Sequence, residues 1–275
     1  MPDRKMMEQD TERINQIIDN LTLFDDDLMS MVFDDNITAT ELLLKIILKK
    51  ENIEVISVVG QKELENPIVG GRSIRLDILV KDSTGKFYNV EVQRSSSGAH
   101  ERRARFHSSM VDARMLKEGQ DFKELLDSYV IFITEKDYFG YGLPVYTINR
   151  QLEEVNQLFQ DGSHIIYVNG SYKGEDSIGK LIHDFGCKEA KDFYYPELAK
   201  GVKHFKEEGG REIMCKAVED YGDKRALQSA LQSEIEAGIA YGIEKERIVS
   251  RLCEKFAISS EEAEKLYDTY AAVEV

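Results

Sequence analysis

Two short segments that alternate between apolar and polar residues, joined by a short turn, constrain the fold of this chain most. They are SIRLDILVK at residues 73–81 and FYNVEVQ at residues 87–93, and the turn DSTGK between them has a glycine near its end. Alternation with a period of two is typical of a β-strand with one buried face, and a late glycine suits a three-residue hairpin loop. The sequence therefore predicts a β-hairpin.

The loop length fixes the register of this predicted hairpin. With a three-residue loop, Asp77 lies opposite Glu91 and Arg75 lies opposite Gln93, and all four share one face because side chains alternate along each strand. Opposed carboxylates, with Cβ atoms about 4.5–5.5 Å apart, repel each other unless a cation neutralises them. Their oxygens suit Mg²⁺, which keeps waters and phosphate oxygens as its other ligands. The opposite face holds the residues predicted to form core: Ile74, Leu76, Ile78, Val80, Tyr88, Val90 and Val92.

A simpler interpretation of the same residues stays open. Asp77 and Glu91 would then be separate surface charges, balanced by Arg75 and Arg94. A β-bulge in either strand would also move the two carboxylates out of register. The hairpin alone therefore indicates a metal site without excluding ordinary ion pairs.

The segments around the hairpin predict an α/β unit. Residues 38–50 repeat leucine and isoleucine at helical spacing and end in two lysines, as helices commonly do. Apolar and β-branched runs predict further strands. The order along the chain is helix, three strands, helix and strand, where the first strand lies at 53–59, the second helix at 99–118 and the last strand at 129–134. After them we predict a loop running into an extended piece at 140–148 and one more strand at 164–169.

These predictions divide the chain into three regions. The first is a weak helix followed by a loop through residues 24–27, and the last is mainly helical with a break at Gly209-Gly210. In the last region we predict one long helix over 226–256 and a short helix that begins after Ser259 with a capping box. The regions are an N-terminal helix and loop at 1–35, an α/β core at 36–175 and a mainly helical C-terminal region at 176–275.

The charge of the chain is strongly acidic but unevenly distributed. Lys and Arg number 36 against 51 Asp and Glu, and this net charge of -15 argues against a chain that binds nucleic acid over its whole surface. Residues 70–125 are the exception, with 11 basic and 8 acidic residues. The arginines of this segment that form a cluster in the sequence are Arg72, Arg75, Arg94, Arg102, Arg103 and Arg105.

Neither hydropathy nor cysteine spacing indicates a membrane or secreted protein. No apolar run reaches the roughly 18 residues that span a bilayer, and the first ten residues lack the apolar stretch of a secretion signal. Cys187, Cys215 and Cys253 have neither a zinc-ligand spacing nor a disulfide pattern. We therefore expect a reduced, cytoplasmic protein without a membrane partner.

The stretch from Val32 to Thr134 resembles the PD-(D/E)xK nuclease family transposases, relatives of the recombination-promoting nucleases. The resemblance rests on an Asp followed, after 13 intervening residues, by a Glu-x-Gln triplet, within an ordered set of segments. These segments are Val32-Phe33, Thr40-Glu41-Leu42-Leu43, Arg75-Leu76-Asp77-Ile78, Val90-Glu91-Val92-Gln93, Arg103-Ala104-Arg105-Phe106-His107, Gly119–Phe122 and Tyr129–Ile133.

The resemblance implies a restriction-endonuclease-like core, in which a mixed sheet is flanked by helices and the active site lies on the central hairpin. The C-terminal helices would be an extension of this core. In such enzymes the Asp and the Glu bind Mg²⁺, for which Mn²⁺ can substitute. Carried over by position, Asp77 and Glu91 would hold the metal, Gln93 would position the attacking water, and Glu41 on the first helix would complete the catalytic set.

Four side chains need a separate interpretation. Gln93 stands where Lys is usual in the superfamily, although the Glu-x-Gln form is similar to what the transposase subfamily shows. Glu41 also fits a capping box with Thr38 as N-cap, which would make it structural. His100 and His107, seven residues apart, would share a helix face as an exposed or phosphate-contacting pair, because their spacing is not that of zinc proteases.

The main hypothesis from the sequence is a Mg²⁺-dependent DNA endonuclease of the transposase-associated type, acting in DNA recombination or on a mobile element. Arg75, Arg102, Arg103 and Arg105 would contact the DNA backbone. The alternative is a catalytically weak or inactive member that binds DNA or a protein. A third hypothesis is a homodimer formed through the helices at 226–270, where apolar residues recur at helical spacing. They are Leu227, Leu231, Ile235 and Ile239.

Overall fold

The computed structural model describes residues 4–66, 68 and 71–271, so residues 1–3 and 272–275 of the predicted terminal regions lie outside the described residues. The chain separates into two compact units, one ending at Met214 and the other beginning at Cys215. The helices are α1 (Arg4–Asn20), α2 (Asp26–Phe33), α3 (Ile37–Leu48), α4 (Glu101–Asp112), α5 (Ser177–Gly186), α6 (Pro196–Glu207), α7 (Arg211–Ala240), α8 (Lys245–Phe256) and α9 (Ser260–Ala271). The strands are β1 (Val55–Leu64), β2 (Ile74–Asp82), β3 (Phe87–Gln93), β4 (Ser128–Thr134), β5 (Val145–Ile148), β6 (Gln151–Leu152), β7 (Gln157–Leu158) and β8 (Ser163–Asn169).

Six of these strands form one mixed sheet in the order β1-β2-β3-β4-β8-β5. The pairs β1–β2, β2–β3 and β5–β8 are antiparallel, whereas β3–β4 and β4–β8 are parallel. Helices α2 and α3 pack on β1, and α4 packs on β3, β4 and β8. The predicted architecture, a mixed sheet flanked by helices with a helical C-terminal region, is confirmed.

The central hairpin, β2 and β3, has the predicted register. Ile78 lies opposite Val90 and Val80 lies opposite Tyr88, which is the pairing that a three-residue loop requires. Gly85 in this loop has a φ of 88°, a conformation that glycine adopts without the clash of a Cβ atom. The residues predicted as core on the apolar face are all buried: Ile74, Leu76, Ile78, Val80, Tyr88, Val90 and Val92.

Several other predicted elements are confirmed, with different ends. β1 runs five residues beyond its predicted end at residue 59 and reaches Leu64. α4 is shorter than the predicted helix at 99–118, because residues 96–99 form a 3₁₀ turn and His100 is the N-cap. The His100 side chain accepts a hydrogen bond from the backbone N–H of Arg102. The helix therefore begins at Glu101, the residue after this cap.

Two predictions about helices were wrong. α2 begins at Asp26, inside the segment predicted to be a loop, because Leu28, Met29 and Val32 bury one face of it. Acidic residues in the first turn also interact favourably with the helix dipole. The long helix predicted over 226–256 is two helices, α7 and α8, because the chain turns at Gly242, which has a φ of 67°.

The C-terminal unit has an apolar core of its own. Ile239, from the stripe predicted as a dimer seam, packs against this core, and Leu227 is exposed. The backbone N–H of Glu262 donates to Ser259 Oγ (3.2 Å), as the capping prediction requires. None of the helices among the described residues is long and apolar enough to cross a membrane. The buried core residues of this unit are Leu231, Ile235, Ile248, Val249, Leu252 and Ala263.

Candidate active site

The two strands of the hairpin separate at Asp77 and Glu91. The backbone pairing of β2 with β3 runs as far as Ile78 opposite Val90. Beyond that point, the Asp77 carboxylate accepts a hydrogen bond from the backbone N–H of Val92 (2.9 Å), and the N–H of Asp77 donates to Glu91 Oε1 (3.3 Å). The two carboxylates therefore lie together where the ladder ends, as the predicted register requires.

Glu91 is a fully buried carboxylate with an arginine as its cationic partner. Its side chain has 0% exposure, and its Oε2 lies 3.0 Å from Nη2 of Arg103 on α4. Arg103 is held in this position by a hydrogen bond from Nη1 to the carbonyl oxygen of Gly98 (3.0 Å). A carboxylate removed from water is costly unless it is paired, so Arg103 offsets part of the cost of burying Glu91.

His107, one turn after Arg103 on α4, lies against the other oxygen of the buried carboxylate. Its Nδ1 is 3.5 Å from Glu91 Oε1 and 3.1 Å from the amide nitrogen of Asn89, and its Nε2 is 3.3 Å from Nε of Arg103. His107 is buried, so the interpretation of His100 and His107 as a shared exposed or phosphate-contacting pair was wrong. Only His100 of the two is exposed.

The pKa of Asp77 is raised by its burial and by the neighbouring carboxylates. Burial raises the pKa of Asp77 to about 8, and the charges of Glu91 and Asp26 contribute in the same direction. The Val92 N–H and the charge of Arg103 lower it, but by less. One guanidinium therefore does not neutralise the carboxylates that meet here.

Asp26 is a third carboxylate that acts electrostatically on this pair, and the sequence did not predict it. It lies in the first turn of α2, and its side chain is partly exposed to solvent. Partial desolvation by the surrounding protein is the largest cause that raises the pKa of its carboxyl group, and the charges of Asp27 and Glu91 raise it further. The positive charges of Arg75 and Arg103 act on the same carboxyl group in the opposite direction. A signal was present in the sequence, since acidic residues before an apolar run are typical of a helix start.

An ion pair ties the start of α2 to the end of β3. Nη1 of Arg94 lies 2.8 Å from Asp25 Oδ1, and the other carboxylate oxygen of Asp25 accepts the backbone N–H of Thr22 (2.8 Å). The residue before the helix is thereby fixed beside the strand that carries Glu91. These contacts hold the start of α2, which carries Asp26, beside the end of β3.

The structure does not bring Glu41 to this cluster. Its carboxylate accepts the backbone N–H of Val55 (2.9 Å) and lies 3.2 Å from Nζ of Lys45. Val55 pairs with Asp82, five residues along β2 from Asp77, which corresponds to roughly 16 Å of strand. The capping box was also a wrong prediction, because Asn36 is the N-cap of α3 and its side chain accepts from the N–H of Ala39.

Gln93 lies at the end of β3, beside the same arginine. Its Oε1 is 3.5 Å from Nη1 of Arg103, at the limit of a hydrogen bond. The side chain packs closely on Gly98, where an added Cβ atom would overlap with the Gln93 amide. Gln93 is half-buried, so its amide remains partly accessible beside Glu91.

The arginines predicted to contact DNA have different positions. Arg102 and Arg105 are exposed on α4, and Arg75 is exposed on β2. Arg103 is instead directed at Glu91, Gln93 and His107, with only its outer part accessible. The sequence pattern did not distinguish the inward arginine from the outward ones.

The donor set at this cluster fits a divalent cation with oxygen ligands. Three carboxylates influence one another electrostatically, and burial together with the charges of Glu91 and Asp26 raises the pKa of Asp77 to about 8. Mg²⁺ and Mn²⁺ are bound by carboxylate oxygens and waters, whereas a zinc site usually includes nitrogen or sulfur ligands. Asp77 and Glu91 are the residues that could hold such an ion, and Asp26 on α2 adds negative charge to the site.

Comparison with protein families matches residues 34–170 to the PD-(D/E)XK nuclease family transposases. This segment is about half of the chain and contains α3, the hairpin, α4 and the parallel strands, while Asp26 precedes it. Neither the curated proteins nor the solved structures gave a match. Through the segment that carries the hairpin and its carboxylate pair, this chain belongs to the PD-(D/E)XK nuclease family transposases.

Proposed function

We propose that this chain is a Mg²⁺-dependent endonuclease that hydrolyses DNA phosphodiester bonds. Membership of the family supports a nuclease-type function, and nucleases of this kind generally use divalent metal ions. The observation that carries the proposal is the pair of Asp77 and Glu91 where β2 and β3 separate, with Arg103 as partner of the buried carboxylate. Mn²⁺ has the same ligand preference and is expected to substitute.

Each side chain of the cluster has a distinct part in this proposal. A divalent cation there would neutralise phosphate charge and lower the pKa of a bound water. Asp77 and Glu91 hold the cation, and Asp26 adds a third oxygen donor from α2. The Gln93 amide orients the attacking water, because it is the accessible polar group next to Glu91. Arg103 is placed to stabilise negative charge that develops on the phosphate.

The exposed arginines support DNA as the substrate. Arg75, Arg102 and Arg105 lie on β2 and α4, the two elements that also carry Asp77 and Arg103. Contacts of arginine with phosphates position a nucleic acid without reading its sequence. The acidic remainder of the chain disfavours DNA binding elsewhere. Because contacts of the arginines with phosphates release counterions, cleavage is expected to fall as salt rises. Within its family, the protein would act in DNA recombination or on a mobile element.

A plasmid-cleavage assay tests the proposal. The wild type is compared with Asp77→Asn and Glu91→Gln, which remove one charge each with little change of shape, and with Glu118→Gln as an exposed control. We expect Mg²⁺-dependent cleavage by the wild type and the control, and its loss with chelator or in either cluster variant. Cleavage that survives both cluster variants would refute the site.

A catalytically inactive binding protein is the second candidate. The observation that favours it is that Arg103, the cation next to Gln93, is already engaged with the Glu91 carboxylate. In this case the wild type binds Mg²⁺ and DNA but cleaves neither supercoiled, linear nor single-stranded DNA with Mg²⁺ or Mn²⁺. That result would retain the cluster and reject the enzyme.

A further inference from the structure

The C-terminal end of α5 brings together three side chains with metal-ligating atoms, outside the carboxylate cluster. They are His183, Asp184 and Cys187, and one ligand atom from each lies within 4.8 Å of the other two. His183 Nδ1 is 3.3 Å from Asp184 Oδ1 and 3.4 Å from Cys187 Sγ. Cys187 is a free cysteine, so its sulfur is available as a ligand.

The two separations that involve His183 match edges of a tetrahedral zinc site. Bonds of about 2.0–2.3 Å from zinc to nitrogen, oxygen and sulfur give ligand atoms roughly 3.3–3.6 Å apart. The sulfur also lies 3.8 Å from Nε2 of His183, so the imidazole has to turn to direct a lone pair at the ion. The side chain is 46% exposed, which leaves it room to do so.

Asp184 is the fixed member of the group and has an uncompensated charge. Its side chain is fully buried, and both of its oxygens accept backbone N–H groups, one from Tyr194 and one from Tyr195 (2.8 Å each). In the described part of the chain its cationic contact is His183, which is charged only when protonated. Buried carboxylates are usually paired with a cation or bound to a metal, so a bound ion would supply the missing charge.

An open cavity lies beside His183, the exposed member of the group. Its volume is about 420 Å³, and its wall includes His183, Tyr194 and Lys180. A metal held by three protein ligands at such a position keeps a fourth place for water or another small ligand.

We propose that His183, Asp184 and Cys187 form a zinc site with one exchangeable position. Nitrogen and sulfur ligands favour Zn²⁺ over Mg²⁺, so this site differs in chemistry from the oxygen-only cluster on the hairpin. It does not depend on the proposed nuclease activity. The spacing of the cysteines in the sequence does not indicate this zinc site, because two of the three ligands are not cysteines.

Cobalt substitution tests the site on the full-length protein. Co²⁺ is bound in place of Zn²⁺, and a thiolate ligand gives a sulfur-to-metal charge-transfer band that carboxylate-bound Co²⁺ lacks. We expect this band in the wild type, with stoichiometric Zn²⁺ abolishing it. Cys187→Ser and His183→Gln should each lower the affinity at least about tenfold.

Matched variants separate this site from adventitious binding. Cys215→Ser and His204→Gln replace the same residue types elsewhere and should leave the band unchanged. A wild type without the band, or a Cys187→Ser variant that keeps it, would overturn the proposal. Circular dichroism of each variant establishes that the fold is retained. Because the band reports only thiolate ligation, the outcome is independent of whether the hairpin cluster binds metal or cleaves DNA.

Discussion

Nη2 of Arg103 lies 3.0 Å from Oε2 of Glu91, and this contact joins a partly exposed guanidinium to a carboxylate with no exposure. This difference in exposure matters, because the Glu91 carboxylate stays buried away from water when Arg103 is replaced. Arg103 is fixed in turn by the carbonyl oxygen of Gly98, at the turn that precedes α4. The arginine is therefore part of the structure of the site as well as a candidate for contact with phosphate.

Replacement of Arg103 is predicted to destabilise the metal-free protein. Arg103→Gln leaves Glu91 buried without its cation, which costs about 3 kcal/mol of the free energy of unfolding. Glu91→Gln in the same chain removes the unpaired charge, so the double variant should be more stable than Arg103→Gln alone. Urea unfolding in the presence of chelator measures the free energy of unfolding of the wild type, of Arg103→Gln and of the double variant. Arg105→Gln, an exposed arginine two residues away, is the control and should change stability by less than about 0.5 kcal/mol.

Replacements of Asp26 and Glu41 are predicted to differ in their effect on metal binding. Asp26→Asn should weaken the affinity for Mg²⁺ by at least about tenfold, because it removes one of three carboxylates from the cluster. Glu41→Gln should leave the affinity unchanged and cost about 1 kcal/mol of stability, since its ion pair with Lys45 is lost. Titration calorimetry with Mg²⁺ distinguishes them. The reverse pattern would place Glu41, and not Asp26, among the groups that bind the metal.

The hairpin and its carboxylate pair could be predicted from the sequence because their geometry is local. A three-residue loop sets the pairing, and the two-residue period then places Asp77 and Glu91 on one face. No contact with the rest of the chain is needed for that step. The separation of the strands just beyond Ile78 was not predicted, because it depends on β2 continuing with β1 and β3 with β4.

The remaining site residues could not be predicted, because they lie on helices outside the hairpin and their positions depend on how these helices pack. Asp26 and Glu41 are both acidic residues near the start of a helix, and only the packing of α2 and α3 decides which one reaches the cluster. Arg103 and Arg105 are two residues apart on one helix, yet one is turned inward and the other outward. His107 is buried because α4 lies on the sheet at β3 and β4.

The stability of the cation-free protein is predicted to fall with rising pH. The pKa of Asp77 is raised to about 8 by burial and by Glu91 and Asp26, against about 4 in the unfolded chain. Between these values the folded state keeps a proton that the unfolded state has released, so the free energy of unfolding decreases as pH rises from about 4 to about 8. Urea unfolding from about pH 5 to about pH 8 in chelator measures this slope.

Asp77→Asn provides the comparison for this slope. The variant cannot titrate at position 77, so its stability should depend less on pH than that of the wild type. Asp35→Asn, an exposed acidic residue outside the cluster, should keep the slope of the wild type. Equal slopes in the wild type and Asp77→Asn would contradict the raised pKa.

A methyl group at Gly98 is predicted to disable Gln93 without unfolding the protein. The Cβ atom of Gly98→Ala would overlap with the Gln93 amide, which is the end of a flexible side chain and can move away. The amide would then leave its place beside Arg103 and Glu91, and DNA cleavage should fall by about 10–100-fold, as a displaced catalytic group does. Gly222→Ala, where an added Cβ meets nothing within 4 Å, is the control and should cleave normally.

Combining the Gly98 and Gln93 changes tests whether they act through the same side chain. Gln93→Ala should lower cleavage as much as Gly98→Ala, and the double variant should be no worse than either single one, because both remove the same amide. Thermal unfolding of all three variants should stay close to that of the wild type. Additive losses in the double variant would show that Gly98→Ala acts on another part of the site, most directly on the Arg103 contact with the Gly98 carbonyl oxygen.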